Sequence, residues 1–301
     1  MTYDVVIIGG GPAGLSAALA LGRARREVLL CDAGPRRNAA AERIHNFVTR
    51  DGTPPEDFRN EARAQLAAYP NVTLRNVGVE AISGARGAFE VTLSEGTVQA
   101  RRILLSTGMV DQMIPLEGFA ELWGSSIFQC PYCHGWEVRD RRWGLLVLES
   151  VANHVLPFAM QASGWSRDFV VFTGAMNSLP IETISTLQNA GLQVETRTVR
   201  RLVSGAGGLQ SIEFSDGTRI PRDVLFAHPP QRQVSLVERL QPALDAEGYV
   251  QVDPQSRQTS IPGIYAAGDL TTRLQSAIFA AAAGTQTASV INVDLAMDRL
   301  S

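Results

Sequence analysis

Apolar and polar positions fall into short blocks along this chain, and the period changes from block to block. Val5 to Ile8 is an unbroken apolar run, the pattern of a strand covered on both faces. A glycine turn follows, and then Leu15 to Leu21 reads as a helix. Val28 to Leu30 forms a second apolar run, with Asp32 just beyond it. Further on, Phe89 to Leu93 leads through Ser94-Glu95-Gly96-Thr97 into Ile103-Leu104-Leu105, which ends at Ser106-Thr107-Gly108. That stretch predicts a hairpin feeding a buried strand.

The same succession returns. Ile212-Glu213-Phe214 precedes Ser215-Asp216-Gly217-Thr218, and Arg222-Asp223-Val224-Leu225-Phe226 repeats the character of Arg101-Arg102-Ile103-Leu104-Leu105. Leu145 to Leu148, a helical stretch from Val155 to Ala162, and Arg167 to Phe172 supply the other half. The chain therefore predicts two Rossmann-like three-layer α/β domains, copies of one dinucleotide-binding plan. Towards the end, Tyr249 to Val252 and Tyr265 to Asp269 read as short strands, and an Ala-rich helix runs from about Gln275 to Ala296.

The two copies differ in their ligand chemistry. In the first, Gly9-x-Gly11-x-x-Gly14 stands between a strand and a helix, with an acidic residue, Asp32, after the next strand. Glycines admit a pyrophosphate to the backbone, the helix start offers N–H groups and positive dipole, and Asp32 can accept from ribose hydroxyls. In the second copy, aligned on the strands, those glycines become Glu149, Val151 and His154, and Asp32 becomes Thr173. Side chains and a carboxylate there oppose a pyrophosphate. Near the C-terminus, Gly268 permits a tight approach and Asp269 can accept from ligand hydroxyls. A helix starting near Gln275 and Ser276 aims its positive end at the same ligand.

Length and composition agree with two cores. The chain has 301 residues, 45% hydrophobic and 19% charged, an ordinary globular balance. A formal charge of −3 provides no field to attract nucleic acid or an anionic membrane. The apolar start is broken by Gly9 to Pro12 and lacks a basic leader, so we expect a cytoplasmic protein with no membrane span.

Three cysteines occur. Cys31 ends an apolar run and is expected to be an inert core thiol. Cys130 and Cys133 stand in Cys-x-x-Cys spacing, which points to redox or metal chemistry in an intracellular chain. Zinc needs further ligands, and beyond His134 no second pair is evident. A helix start lowers thiol pKa values and favours a thiolate, and His134, of a residue type whose unperturbed pKa is ~6.5, is suited to taking protons from thiols.

Taken together, Gly9-Gly10-Gly11-Pro12-Ala13-Gly14, Asn46-Phe47, Thr107-Gly108, Cys130-Pro131-Tyr132-Cys133 and Ala267-Gly268-Asp269 stand in the order of the low-molecular-weight thioredoxin reductase flavoproteins, and the chain resembles that family throughout. The resemblance implies an FAD domain over 1–116 and 240–301, an inserted nicotinamide-type domain over 117–239 carrying the cysteines, and a homodimer. It implies that Cys133 faces the flavin while Cys130 exchanges with substrate. It also implies that FAD is held by Gly9, Gly11, Pro12, Ala13, Gly14, Asp32, Asn46, Thr107, Gly108, Gly268, Asp269, Gln275 and Ser276. His45 is a weaker second candidate beside the flavin, and His154 and His228 have no assigned role.

This chain departs from the family at the second glycine loop, at the basic cluster for NADPH, and at His134 in place of an aspartate. In those respects it is similar to the dithiol oxidases that close disulfides in natural products such as gliotoxin and holomycin. We therefore expect an FAD-dependent oxidase taking a small-molecule dithiol to a disulfide, with oxygen as acceptor and hydrogen peroxide as product. The alternatives are a disulfide reductase fed by NADPH through other contacts or by ferredoxin, and a redox-sensing flavoprotein without turnover.

Overall fold

A computed structural model describes residues 2–34, 36–148, 154–174, 179–298 and 300. Two compact units emerge, one formed by Met1–Val110 with Gln231–Ser301 and the other by Asp111–Pro230. These crossing points differ from the expected 116/117 and 239/240. Packing explains both shifts: Ile114 and Leu116 join the core of the second unit, while Val234, Leu236 and Val237 already belong to the core of the first.

In the first unit the strands Val72–Arg75, Val28–Cys31, Thr2–Ile8 and Gly96–Leu105 lie side by side and parallel, and Ile264–Ala266 adds to the far side of the last. The N-terminal half of Gly96–Leu105 also closes an antiparallel meander with Ala88–Leu93 and Val79–Ala85. Alternate residues feed opposite cores: Val6, Ile8, Leu29, Cys31, Ile103 and Leu105 on one face, Val5, Ile7, Val28, Leu30 and Leu104 on the other. This period of two is why continuous apolar runs are required. The helices Pro12–Arg23 and Ala277–Met297 pack together over the second face, so closely that a Cβ on Gly284 would sit 2.0 Å from the Ala13 carbonyl oxygen.

The second unit repeats the plan. Among the described residues, parallel strands run in the order Gln193–Glu195, Phe169–Phe172, Trp143–Leu146, Val224–Ala227 and Ile127–Phe128, and a meander is formed by Val199–Gly205, Gly208–Phe214 and Arg219–Pro221. Tyr249 to Val252 is not a strand: Val250 makes only an isolated bridge to Leu244. Its side chains are nonetheless buried at Tyr249 and Val250, which explains the apolar pattern.

Hydrogen bonding aligns the two copies more securely than strand ends do. The Gly9 N–H donates to Cys31 and the Asp32 N–H to Arg75; the Val147 N–H donates to Phe172 and the Thr173 N–H to Glu195. Thr173 thus occupies the Asp32 position, as the apolar pattern predicts, but Val147 stands where Gly9 does, not Glu149. The correction arises because the second strand ends at Leu146, short of the predicted Leu148. Glu149 and Val151 lie outside the described residues, and His154 is the N-cap of the helix Val155–Ala162.

Candidate active site

The glycine turn of the first unit is built by close approach. Gly9 has φ +112°, and a Cβ there would lie 2.3 Å from the Ser106 carbonyl oxygen; one on Gly14 would lie 1.9 Å from that of Gly9. Ser106 Oγ donates to the Ile8 and Gly9 carbonyls at 3.0 and 2.9 Å, pinning the two strand ends together. A Cβ on Gly11, by contrast, meets nothing within 4 Å. Gly11 is the N-cap of the helix that begins with Pro12, Ala13 and Gly14, and it offers no side chain to cap the first-turn N–H groups. An open cradle above uncapped helical donors fits an anionic pyrophosphate.

Two further features fit a dinucleotide. The Thr107 Oγ1 atom is buried with no hydrogen-bond partner among the described residues. Beside it Gly108 adopts φ +65° with open space at its Cβ position. Gly268, at φ +95°, brings its turn against the cradle, since a Cβ there would lie 3.0 Å from the Ala13 Cβ. Asp269 follows that turn directly.

The two expected acceptors are both ion-paired. Asp32 is almost fully buried. Its Oδ2 accepts from Arg59 Nη2 at 2.5 Å and its Oδ1 from the Gly34 N–H at 3.0 Å. Burial alone would raise its pKa, but the Arg59 and Gly34 hydrogen bonds outweigh burial and hold the carboxyl below its ordinary value. Asp269 Oδ2 accepts from Arg37 Nη1 at 3.0 Å, and the same nitrogen donates to Gln275 Oε1 at 2.5 Å.

The Gln275 amide is itself committed to scaffold bonds. Its Nε2 donates to Gln231 Oε1 and to the carbonyls of Thr272 and Asp269. Ser276 caps the long helix by accepting from the Phe279 N–H, so that helix starts at Ala277. Asn46 is exposed in a loop and gives its N–H to Asp51. Among the described residues no hydrogen bond joins it to the glycine turn. His45 Nδ1 lies 3.5 Å from the same Asp51 carboxylate.

Sequence reasoning passed over Gly10, Arg37 and Arg59. A Cβ on Gly10 would fall 2.3 Å from Asp32 Oδ2, so the second glycine of the run serves the acidic residue. That requirement was legible as an unbroken run, Gly9-Gly10-Gly11, where the motif asks for glycine only at its first and third positions; the arginine pairings were not.

In the second unit, Cys130 is the N-cap of a single helical turn, Pro131–His134. The Cys130 and Cys133 sulfurs face one another at 2.6 Å. The Cys133 thiol hydrogen bond draws the Cys130 pKa below the ordinary thiol value; burial opposes it, and the Cys133 and Tyr132 N–H groups add to it. Tyr132 is held from outside, its hydroxyl accepting from Gln161 Nε2 at 3.1 Å and its ring packed edge-on to Trp165. The His134 ring stacks on Phe128, centroids 4.5 Å apart and planes inclined by 15°. Cys31, by contrast, is buried in the core of the first unit, and burial pushes its thiol up to about 12. That is an inert thiol, as expected.

Comparison with known proteins agrees with this geometry. The family model for pyridine nucleotide-disulphide oxidoreductases matches residues 3–153 and 180–284. Thioredoxin reductase tcpT of Claviceps purpurea is 34% identical over 88% of this chain and 86% of its own length. Thioredoxin reductase sirT of Leptosphaeria maculans is 31% identical over 96% and 93%. The crystal structure of HlmI superposes with a TM-score of 0.88 at 31% identity, covering 99% of this chain and 95% of that one. The chain belongs to the pyridine nucleotide-disulphide oxidoreductase family, as a thioredoxin reductase-like, FAD-binding flavoprotein oxidoreductase.

Proposed function

We propose that this flavoprotein is a dithiol oxidase that closes a disulfide in a small-molecule substrate through Cys130 and Cys133. The observation that carries the direction is the second dinucleotide-type unit, which has Val147 at the Gly9 position and Thr173 at the Asp32 position. A side chain replaces the first glycine, which opposes close approach of a pyrophosphate; the lost ribose acceptor disfavours NADH, and no arginine stands between Thr173 and Pro180 in the sequence to meet the 2′-phosphate of NADPH. The sequence Cys130-Pro131-Tyr132-Cys133-His134-Gly135 also resembles that of the natural-product dithiol oxidases.

Starting from the oxidised pair, one substrate thiolate attacks Cys130 Sγ, forms a mixed disulfide and expels Cys133 as thiolate. The second substrate thiolate then attacks its own sulfur in that mixed disulfide, closes the product and releases Cys130 as thiolate. Two electrons have passed from substrate to the cysteine pair, and the two substrate protons have been given up on the way. His134 is placed one residue from Cys133 to accept one of them. Bound FAD supplies the two-electron acceptor that reoxidises the pair and, with oxygen, yields hydrogen peroxide. We read the enzyme as a homodimer, on the family resemblance.

A second reading is a disulfide reductase, favoured by the names of the relatives tcpT and sirT and fed by NADPH or ferredoxin. The flavin spectrum separates the two. Under anaerobic conditions dithiothreitol should bleach the bound flavin and NADPH should leave it oxidised; in air, dithiothreitol should drive oxygen uptake with peroxide release. Rapid bleaching by NADPH, or no oxygen uptake with dithiol, sinks the oxidase reading.

A further inference from the structure

The first unit places two carboxylates around one cradle, Asp32 and Asp269, and each is met by an arginine. The need for this follows from charge. A pyrophosphate is anionic, and a cradle flanked by two uncompensated carboxylates would repel it. The carboxylates are required nonetheless, because hydroxyl groups need acceptors. Arg59 balances Asp32 and Arg37 balances Asp269.

Arg37 does more than neutralise. It opens the turn Arg37–Ala40, far in sequence from Asp269, and its side chain is only 20% exposed. One nitrogen, Nη1, ties that turn both to Asp269 Oδ2 and to Gln275 Oε1. Gln275 is in turn fixed by Gln231, whose Nε2 donates back to Gln275 Oε1 at 3.1 Å and whose Oε1 accepts from the Tyr249 hydroxyl at 3.0 Å. Arg37 therefore joins the Asp269 carboxylate to an anchored amide. The Gly268 turn sets where the Asp269 backbone lies, and Arg37 holds one oxygen of its carboxylate.

We propose that Arg37 is a positioning residue of the FAD site, holding Asp269 in the orientation that accepts from the hydroxyl-bearing chain of the cofactor and offsetting its charge beside the pyrophosphate. This rests on Asp269 being a cofactor ligand and does not depend on the direction of the thiol chemistry.

The test is a double-mutant cycle on FAD affinity, measured by quenching of FAD fluorescence on titration into apoprotein. Arg37→Ala should weaken binding about tenfold or more, the scale of losing a charge-assisted hydrogen bond. Arg37→Lys, which keeps the charge and several donors on a shorter stem, should recover part of that. Asp269→Asn should weaken binding on its own, and the double variant R37A/D269N should bind no more than about threefold worse than D269N, because Arg37 acts through Asp269. An R37A protein that binds FAD as the unaltered chain does overturns the proposal. So does a loss that is just as large in the D269N background, since that is a packing effect independent of the carboxylate. If R37A does not fold, the comparison of R37K with R37K/D269N decides on the same criterion. Full FAD affinity in D269N would instead overturn the role of Asp269, a failure distinct from any result with dithiol or NADPH.

Discussion

Asp32 Oδ2 occupies the place that a Cβ on Gly10 would need, 2.3 Å from that position. The same oxygen is held by Arg59 at 2.5 Å, so the carboxylate cannot swing aside without breaking an ion pair. The glycine run therefore answers to two demands: room for a ligand at Gly11, and room for the protein's own acidic residue at Gly10.

The two kinds of glycine are separable. Gly11→Ala adds a methyl group where nothing of the protein lies within 4 Å; the apoprotein should lose about 1 kcal/mol or less, the scale of an N-cap change, while FAD affinity falls steeply. Gly14→Ala, whose Cβ would meet the Gly9 carbonyl at 1.9 Å, should destabilise the apoprotein itself by about 1–3 kcal/mol. Urea unfolding of apoprotein, set beside FAD titration, reads both; equal stability losses for the two variants would refute the distinction.

Alkylation should follow the environments of the thiols. In the reduced protein, iodoacetamide should modify Cys130 with a pH midpoint below the ~8.5 of an ordinary cysteine, because its pKa is lowered. Below that midpoint the thiol is protonated and the rate falls. In Cys133→Ala the largest lowering influence is gone, so the Cys130 midpoint should move up. Cys31, pushed up to about 12, should stay unlabelled until the protein unfolds. Peptide mass spectrometry after timed labelling reports each site.

His134 both stacks on Phe128 and carries the imidazole. His134→Phe keeps a flat ring for the stack and removes the proton acceptor. It should slow flavin reduction by dithiol on the scale of general-base loss, about 10²-fold or more, with FAD content unchanged. Stopped-flow reduction at the unaltered rate in this variant would assign His134 to packing alone.

A structural prediction concerns the far end of the long helix. Arg102 is fully buried and meets Asp294 and Asp298, while the Tyr265 hydroxyl donates to Asp294 at 2.8 Å. Arg102→Ala removes the fully buried cation and leaves Asp294 and Asp298 to the more exposed Arg86 and Arg101, so it should cost roughly 1–3 kcal/mol, below the full penalty of an uncompensated buried charge. Arg102→Ala with Asp294→Asn should recover part of it. Urea midpoints of the variants check this, and a strictly additive pair would argue against the ion pair as the cause.

The doubled α/β plan, the glycine cradle, the acidic position that becomes Thr173 in the second copy, and the cysteine turn are all legible in the order of residues. Each of these is written locally, in apolar periods and short motifs whose geometry the backbone dictates within a few residues. The register of the second copy was not legible to the same precision. Apolar runs show where a strand lies, but the bonds from Val147 and Thr173 to neighbouring strands settle which residue faces which. Long-range packing, by contrast, brings Asp32 to Arg59 and Asp269 to Arg37, and commits Gln275 to scaffold bonds. Those partners are separated by 27, 232 and 44 residues for Asp32–Arg59, Arg37–Asp269 and Gln231–Gln275, and long flexible side chains at such separations meet only once helices and turns have packed.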